Sequence, residues 1–276
     1  MLPAKNAKVR PFLKWAGGKY TIADKIKKHL PEGKTLIEPF VGAGAIFLNT
    51  DYDKYIINDI NEDLINLYIE IQYDGDAFIA DAKKLFVEKY NTEKNFYRLR
   101  NKFNTSTNPY ERSILFLYLN KFGYNGLCRY NQSGEFNVPF GKHKNPSFPQ
   151  KQLEYFSEKS QRAKFVCEDF RKTFSRARKG HVIYCDPPYA PLSETAYFSD
   201  YSTGGFNLED QERLAEAARS AANRGIPVVI SNHDTKYVRK IYKGAKFKTL
   251  DVQRNISCKS SRRGKTKEII AIFKDK

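Results

Sequence analysis

Short apolar runs, each bounded by residues that favour turns, occur near both ends of the 276-residue chain. Runs of this length are typical of strands that are buried in a parallel sheet. A helical, amphipathic pattern over residues 208–222 lies between two of these runs. We therefore predict an α/β sheet whose strands cover residues 34–40, 55–58, 163–167, 181–185, 226–231, 246–254 and 268–273.

The middle of the chain follows a different pattern. Between residues 60 and 112, apolar side chains recur at helical spacing among many charged ones, which predicts amphipathic helices. From residue 120 to 149 the sequence is rich in Gly, Asn, Pro and aromatic residues, and Ser133-Gly134 predicts a hairpin turn between short strands. We predict a catalytic domain over residues 1–60 and 145–276, interrupted by a mainly helical recognition domain with a β-hairpin over residues 61–144.

Composition narrows the choice of partner. The chain has 48 Lys and Arg residues against 31 Asp and Glu, a net charge of +17, which favours a polyanion such as nucleic acid. An anionic membrane is the weaker alternative, because no apolar run approaches the roughly 20 residues that span a bilayer. The first ten residues lack the apolar stretch of a signal peptide, so we expect a cytoplasmic protein. The four cysteines form no CxxC pair, and we expect reduced thiols and no metal site.

The segment from Glu38 to Gly44 follows a predicted strand and precedes a predicted helix. Open α/β sheets bind nucleotide-like ligands at such a turn, and Gly42 and Gly44 allow close approach of the backbone. Asp59 closes the next predicted strand, where an acidic side chain accepts hydrogen bonds from ribose hydroxyls. An ordinary strand-to-helix turn is the alternative. Because the full GxGxxG pattern is missing, an adenosyl cofactor is favoured over a nicotinamide one.

Near the N-terminus, FLKWAGGK contains the only Trp of the chain, Trp15, followed by two glycines and Lys19. A lone Trp often fills a core, which is the alternative interpretation here. Glycines beside a lysine suit close approach to a carboxylate, such as that of a methionine moiety. The phosphate-binding pattern GxxxxGK[ST] is absent.

The most informative motif is Asp186-Pro187-Pro188-Tyr189, which directly follows an apolar predicted strand. The prolines stiffen the turn, and a residue before proline favours an extended conformation that holds the Asp186 carboxylate at the strand end. A carboxylate and a nearby backbone carbonyl can accept both hydrogens of an exocyclic amino group and aim its lone pair at an electrophilic methyl. Tyr189 offers an aromatic face to an extruded base. A Pro-rich turn with a capping Asp is the alternative.

Two neighbouring motifs invite other chemistry that we reject. Cys185 lies on an apolar strand, where cysteine is usually part of the core, and amino methylation needs no covalent intermediate. Residues 231–234, Ser-Asn-His-Asp, are adjacent in sequence and cannot converge as the members of a catalytic triad do. We instead predict a strand end followed by a helix that Asp234 or Thr235 caps.

Residues 121–144 interleave aromatic side chains with four basic residues and one acidic residue, as suits DNA. Arg129 can give bidentate hydrogen bonds to guanine, and Tyr124 can stack in the gap that a displaced base leaves. A solvated loop packed on the helical insertion is the alternative. A basic surface loop with unspecific phosphate contacts is predicted around Lys259, Arg262, Arg263, Lys265 and Lys267.

These motifs together resemble those of the bacterial DNA adenine methylase family, in the α group of amino methyltransferases. The likeness covers FLKWAGGK, EPFVGAG, YNGLCRYN, GEFNVPFG and YCDPPYAPLS, which are long blocks spread over almost the whole chain. It implies a Rossmann-like, S-adenosylmethionine-dependent methyltransferase that yields S-adenosylhomocysteine and modifies N6 of adenine in duplex GATC after base flipping. One departure is Glu38, where the wider group often has Asp. The likeness indicates no obligate protein partner and a bacterial enzyme associated with the nucleoid.

The resemblance also implies roles for individual residues. Cofactor contacts are expected from Trp15, Lys19, Phe40, Gly42, Gly44, Asp59 and Asp186. Catalysis is assigned to Asp186, Pro187 and Tyr189. DNA contacts are expected from Lys14, Tyr124, Asn125, Leu127, Arg129, Asn131, Pro139 and Lys142. Within the DNA set, Asn125 and Lys142 would hold phosphate and Tyr124 would fill the duplex.

Two further functions are compatible with parts of the pattern. Methylation of adenine in RNA is one, but the dedicated recognition segment, residues 120–149, disfavours it. A DNA-binding regulator with a degenerate cofactor pocket is the other, and the intact acidic, aromatic and glycine positions of all three motifs argue against it.

Overall fold

The computed structural model describes residues 8–144, 146–191, 205–253 and 265–274. The α-helices in these ranges are α1 Ala23–Lys27, α2 Ala45–Asn49, α3 Glu62–Tyr73, α4 Gly75–Lys83, α5 Glu93–Thr105, α6 Pro109–Phe122, α7 Gln150–Ser160, α8 Phe170–Ser175, α9 Leu208–Asn223 and α10 Lys236–Ile241. The strands are β1 Thr35–Glu38, β2 Lys54–Asn58, β3 Ala163–Val166, β4 His181–Cys185, β5 Val228–His233, β6 Lys246–Gln253 and β7 Lys265–Phe273.

Within the described residues, seven strands form one sheet in the order β3-β2-β1-β4-β5-β7-β6. Strand β1 pairs in parallel with both β2 and β4, and β4 pairs in parallel with β5. Strand β7 is antiparallel to β5 and to β6. Successive strands are added on one side of β1 and then on the other, which creates the switch point where open α/β sheets bind ligands. The predicted α/β class with a Rossmann-like sheet is therefore confirmed.

The chain divides into two compact units. The first comprises the described residues of Met1–Thr21, Gly42–Thr50 and Asn61–Cys167, and the second those of Ile22–Val41, Asp51–Ile60 and Glu168–Lys276.

The second unit contains the predominantly parallel part of the sheet and its own core. Helix α9 buries Leu214, Ala218 and Ala221, which are three or four residues apart and therefore share one helix face. Its N-terminus has a capping box, in which Asn207 and Asp210 each accept a hydrogen bond from the other's backbone N–H. Small alanines on the buried face allow the helix to lie close to the strands.

The first unit is mainly helical, and its core is rich in aromatic side chains. The rings of Phe12 and Phe156 meet edge to face at 5.1 Å, and Tyr68 lies 4.7 Å from Phe156. Helices α3 and α6 begin at Asn61 and Asn108, whose side chains each accept a backbone hydrogen bond from the first turn. The helices predicted between residues 60 and 112 are confirmed in this unit.

The predicted hairpin around Ser133-Gly134 is reduced to a turn. A single antiparallel bridge joins Tyr130 and Phe136, and no ladder is assigned there in the described chain. A side chain explains the difference, because the amide oxygen of Asn131 accepts the backbone N–H of Glu135. That N–H is then not available for the hydrogen bond to the Asn131 carbonyl that would extend the β-ladder.

Candidate active site

Three acidic residues lie at the carboxyl edge of the sheet in the second unit. Strand β1 ends at the buried Glu38, Asp59 follows β2, and Asp186 follows β4. The registers place Glu38 opposite Ile57 and Ile37 opposite Ile183, so the three strands end at nearly the same level. Carboxyl ends of neighbouring parallel strands are where α/β proteins place their ligand-binding residues.

The buried amide of Asn58 fixes the turns around Asp59. Its Nδ2 donates to the carbonyls of Pro39, at 2.9 Å, and Glu168, at 3.0 Å, and its Oδ1 accepts from the N–H of Glu168. Phe40, next to Pro39, packs against the rings of Phe170 and Phe206, each at 5.4 Å. Asn58 was not singled out in the sequence, where it resembled any polar residue at the end of a strand.

The Asp186–Tyr189 turn is held from behind by a polar cluster on α9 and β5. Gln211 Nε2 donates to the carbonyl of Pro188 at 2.7 Å, and Asn232 Oδ1 accepts from the N–H of Ala190 at 3.2 Å. Gln211 and Asn232 are themselves hydrogen-bonded to each other at 3.0 Å and are both buried. Because buried polar groups are costly unless they are paired, this closed cluster gives the turn a defined position.

Tyr189 is positioned by two further residues of the second unit. Its hydroxyl donates to Glu268 Oε2 at 2.9 Å, and its ring meets that of His233 edge to face at a centroid distance of 4.7 Å. Burial, together with the carboxylates of Asp186 and Glu268, raises the pKa of Tyr189 well above its ordinary value. The phenol therefore stays protonated and remains a donor at neutral pH.

The structure gives Cys185 and residues 231–234 structural surroundings. Cys185 is fully buried in the core, and burial raises the pKa of its thiol well above the ordinary value, as a structural cysteine requires. Thr235 caps α10 by accepting from the N–H of Val238 at 3.1 Å, as one of the two proposed capping residues. His233 lies within β5, and its Nδ1 donates to the carbonyl of Ala190 at 2.7 Å, so it braces the loop after Tyr189.

The glycine-rich turn before α2 belongs to the first unit and packs against Trp15. A Cβ on Gly42 would lie 2.9 Å from both Cδ1 and Nε1 of Trp15, and the φ of Gly42 is +48°. Gly44 precedes α2 with a φ of 73°, so both positions favour glycine. Tyr68, from α3, donates to the carbonyl of Gly42 at 2.5 Å. The buried Lys19 donates to the carbonyl of Gly17, so its ammonium group lies beside the Gly17-Gly18 pair.

Lys14 is attached to the recognition segment by Asn120, a buried residue of α6. The backbone N–H of Lys14 donates to Asn120 Oδ1 at 2.9 Å, while Asn120 Nδ2 donates to the carbonyls of Lys14 and Gly126 at 2.7 and 3.3 Å. Gly126, with a φ of +63°, has no room for a side chain, because a Cβ would lie 2.3 Å from Cβ of Lys14. The sequence gives one sign of this role, because Asn120 is a single polar amide within the apolar run of α6.

The 3₁₀ turn Tyr124–Gly126 presents the predicted DNA-contacting residues at the surface. The N–H of Tyr124 donates to the carbonyl of Pro139 at 2.9 Å, and the N–H of Leu127 donates to the carbonyl of Tyr124 at 3.1 Å. Tyr124 is 51% exposed, so its ring is open to solvent. Asn125 and Lys142 are both in the left-handed region, with φ of 52° and 51°.

Arg129 and Asn131 both precede the neighbouring turn, and each contacts a residue that follows it. Arg129 donates from Nε to Oδ1 of Asn137 at 2.7 Å and from Nη2 to its carbonyl at 3.2 Å. Asn131 donates to the carboxylate of Glu135 at 2.8 Å. Arg129 is exposed, and Asn137 holds one side of its guanidinium plane in a fixed direction.

The predicted basic loop near the C-terminus is only partly covered by the structure. Lys259, Arg262 and Arg263 lie outside the described residues, as does Cys258. Lys265 and Lys267 belong to β7 rather than to a loop, because the β6–β7 ladder continues through the pairs Asp251–Lys267 and Gln253–Lys265. In the described ranges, no helix is long and apolar enough to cross a membrane.

The Rossmann-like sheet and the Asp-Pro-Pro-Tyr turn after β4 together indicate the class, a methyltransferase that acts on amino groups. The more specific assignment comes from comparison with known proteins. A family model described as D12 class N6 adenine-specific DNA methyltransferase matches residues 15–256. The chain therefore belongs to this family and is an adenine-specific DNA methyltransferase.

Proteins named DNA adenine methylase are similar in sequence to this chain over nearly its whole length. A DNA adenine methylase from Serratia marcescens is 53% identical over 268 residues, which cover 97% of this chain and 99% of that protein. That of Escherichia coli K12 is 52% identical over 267 residues, covering 97% and 96% of the two chains. That of Vibrio cholerae O395 is 51% identical over 267 residues, covering 96% of each.

Proposed function

We propose that this methyltransferase uses S-adenosylmethionine to methylate N6 of adenine in duplex GATC, after flipping the adenine out of the helix. The observation that carries the proposal is the Asp186–Tyr189 turn, placed at the carboxyl end of β4 and held there by Gln211, Asn232 and Glu268. Methyl transfer to a weakly nucleophilic amino group depends on orientation, and a rigid turn provides it.

The residues present fit an adenosyl cofactor. Gly42 and Gly44 carry no side chain that would keep a ligand from the backbone of this turn, and Asp59 offers a carboxylate to ribose hydroxyls at the end of the next strand. Trp15 and Phe40 add aromatic surface, and Lys19 suits the methionine carboxylate. Asp186 completes the proposed binding set. When bound, S-adenosylmethionine supplies the electrophilic methyl group.

In the proposed mechanism, the protein orients the amino group and does not need a strong base. The Asp186 carboxylate accepts one amino hydrogen and a backbone carbonyl of the Pro187 turn accepts the other, which directs the nitrogen lone pair toward the methyl group. Tyr189 stacks on the adenine, and its protonated hydroxyl, bonded to Glu268, fixes the plane of the ring. After transfer the methylated nitrogen is cationic and acidic, and its extra proton passes to solvent water.

We further propose that residues 61–144 contain the target-recognition domain. Lys14, Leu127, Arg129 and Pro139 read base edges, Asn125 and Lys142 hold phosphate, and Asn131 also contacts the DNA. The exposed Tyr124 fills the gap that the flipped adenine leaves. Support comes from Asn120 and Asn137, which hold Lys14 and Arg129 in defined positions at the surface. A bacterial enzyme with this target would act in the cytoplasm, at the nucleoid.

The test is transfer from methyl-labelled S-adenosylmethionine to two duplexes of equal composition, one with GATC and one with its four bases rearranged. We expect N6-methyladenine only in the first, as identified by chromatography of the digested DNA. Arg129→Ala should reduce the discrimination between the duplexes by roughly 1–3 kcal/mol, the value of a lost bidentate contact. Equal labelling of both duplexes by the unaltered enzyme would rule out GATC as the target.

A further inference from the structure

A cavity of about 500 Å³ in the second unit lies away from the residues discussed so far. Its lining includes Lys28 and His29, which follow α1, Lys246 and Lys248 of β6, and Lys274, which follows β7. Strand β6 begins, and β7 ends, at the amino edge of the parallel strands. The cavity is therefore at the edge of the sheet opposite to Asp59 and Asp186.

The cationic side chains converge because of strand geometry. Alternate residues of a strand point to the same face, so Lys246 and Lys248 share one face of β6. The register pairs Lys246 with Ile272, which brings Ile272, and Lys274 two residues later, to that same face. The other face of β7 carries Ala271 and Phe273, which pack in the core with α9 and α10.

The charge in this cavity is not neutralised by the described part of the chain. Among its described lining residues are four lysines and a histidine and no acidic residue, and none of the four ammonium groups forms an ion pair within the described ranges. Burial and then the charges of Lys248 and Lys28 lower the pKa of His29. Like charges held together cost free energy, which an anion bound between them would recover.

We propose that this cavity, the lysine pocket, binds backbone phosphates of a second DNA segment while the catalytic edge holds the target. The enzyme acts on DNA, and lysines that are exposed around an open cavity can reach the phosphates of a duplex. The two edges of the sheet lie on opposite sides of the second unit. Because duplex DNA is stiff over about 150 bp, a short stretch around the target cannot bend round to the pocket. The occupant is thus another duplex or a distant segment.

The experiment saturates the enzyme with a short duplex that carries one GATC site and then titrates a second, fluorescent duplex without the site. Wild-type enzyme should bind the second duplex with affinity that falls steeply with salt. Lys246→Ala/Lys248→Ala should weaken this second binding about tenfold and lower the slope of log K against log salt by about 1 to 2, since each lost phosphate contact removes about 0.9. Lys28→Ala, on the other wall, should weaken it in the same direction without altering a strand.

The matched control is Lys172→Ala/Lys179→Ala, which removes the same charge from two exposed lysines of the same unit outside the pocket. The proposal requires that this control binds the second duplex within about twofold of wild type, and that all these variants methylate the short duplex at the wild-type rate. Equal loss in both double variants would overturn it, because only overall charge would then matter. Loss of short-duplex methylation in the pocket variants would also overturn it, because the pocket would then serve the target duplex, whereas failure of the wild-type enzyme to methylate that duplex would refute the proposed function instead.

A final arm separates DNA from small phosphate ligands. Inorganic tripolyphosphate is titrated while the imidazole resonance of His29 is followed. If tripolyphosphate raises the pKa of His29 and displaces the second duplex, both ligands use the pocket and the proposal stands. If it raises the pKa of His29 but wild-type enzyme binds no second duplex, the pocket serves a small phosphate compound and the proposal is wrong.

Discussion

The hydroxyl of Tyr130 donates a hydrogen bond of 2.6 Å to Oδ2 of Asp63, which joins the recognition segment to the first turn of α3. The second oxygen of Asp63 accepts from Nη2 and Nε of Arg112 at 2.7 and 3.0 Å. Burial, followed by the charges of Cys128 and Asp63, raises the pKa of Tyr130 far above its ordinary value, so its hydroxyl stays protonated and donates to Asp63 at neutral pH. Arg129 directly precedes Tyr130 in the sequence, so the hydrogen bond between Tyr130 and Asp63 also limits where the Arg129 backbone can lie.

Removing the Tyr130 hydroxyl should lower both the stability of the fold and the discrimination between DNA sequences. We expect Tyr130→Phe to lower the free energy of unfolding by about 1–3 kcal/mol, because a hydrogen bond to a charged acceptor is lost. It should also reduce discrimination for GATC more than it reduces total DNA binding. Urea unfolding of Tyr130→Phe, Asp63→Asn and the double variant measures the coupling directly. Additive losses in this cycle would show that the two residues do not act together.

The hydrogen bond between Tyr189 and Glu268 should matter for rate rather than for substrate binding. Tyr189→Phe keeps the ring for stacking but loses the contact with the carboxylate, so we expect kcat to fall about tenfold, which corresponds to 1.4 kcal/mol. The dissociation constant for DNA should stay within about twofold. Glu268→Gln retains an acceptor and should lose less. A drop in DNA affinity without a change in kcat would contradict this role of the hydroxyl.

Gly42 should tolerate no side chain. We expect Gly42→Ala to weaken S-adenosylmethionine binding at least tenfold, because the new Cβ would displace the Trp15 indole that lies 2.9 Å away. Gly225→Ala is the control: it has a similar left-handed φ of +74° and open space around it, so it carries only the backbone cost of about 1–2 kcal/mol. Isothermal titration of both variants separates the two effects. Equal affinities would show that the Trp15 packing is irrelevant to the cofactor.

Because of Lys121, the free energy of unfolding should increase as the pH rises above about 8. Burial, with smaller contributions from Lys14 and Arg10, lowers the pKa of Lys121 to about 8 in the folded chain, against an ordinary value of 10.5. Between those two values the unfolded chain binds more protons, so folding becomes more favourable as the pH rises from about 8 to about 10. Below pH 8 the unfavourable buried charge is fully present.

The comparison of wild type with Lys121→Met isolates this effect, because other groups titrate equally in both. The difference in unfolding free energy should favour the variant at pH 7 and shrink as the pH approaches 10. A difference that stays constant from pH 7 to pH 10 would mean that the Lys121 pKa is not lowered.

The fold was predictable from the sequence to the extent that local patterns determine it. The apolar runs gave β1, β4 and β5 because buried parallel strands are continuous in their hydrophobicity, and helical spacing gave α3 and α5. The short strands expected on both sides of Ser133-Gly134 were wrong in extent, because the side chain of Asn131 accepts the Glu135 N–H that a longer ladder would use.

The supporting residues of the candidate site were not predictable in this way. Asn120 meets Lys14 across 106 positions, and Glu268 meets Tyr189 across 79. Neither Asn120 nor Glu268 stands in a local motif, and such pairs exist only once the tertiary fold has formed. The motif residues themselves were recognisable because their chemistry depends on neighbours in sequence, as in the turn of Asp186 and two prolines.

The most direct test of the central claim is single-turnover methyl transfer by Asp186→Ala on a GATC duplex. Asp53→Ala, which removes an exposed carboxylate elsewhere in the same unit, is the matched control. We expect the rate of N6-methyladenine formation to fall about 100-fold or more in Asp186→Ala while DNA affinity persists, and to stay at the wild-type value in the control. A wild-type rate of transfer by Asp186→Ala would contradict the assignment of the catalytic site.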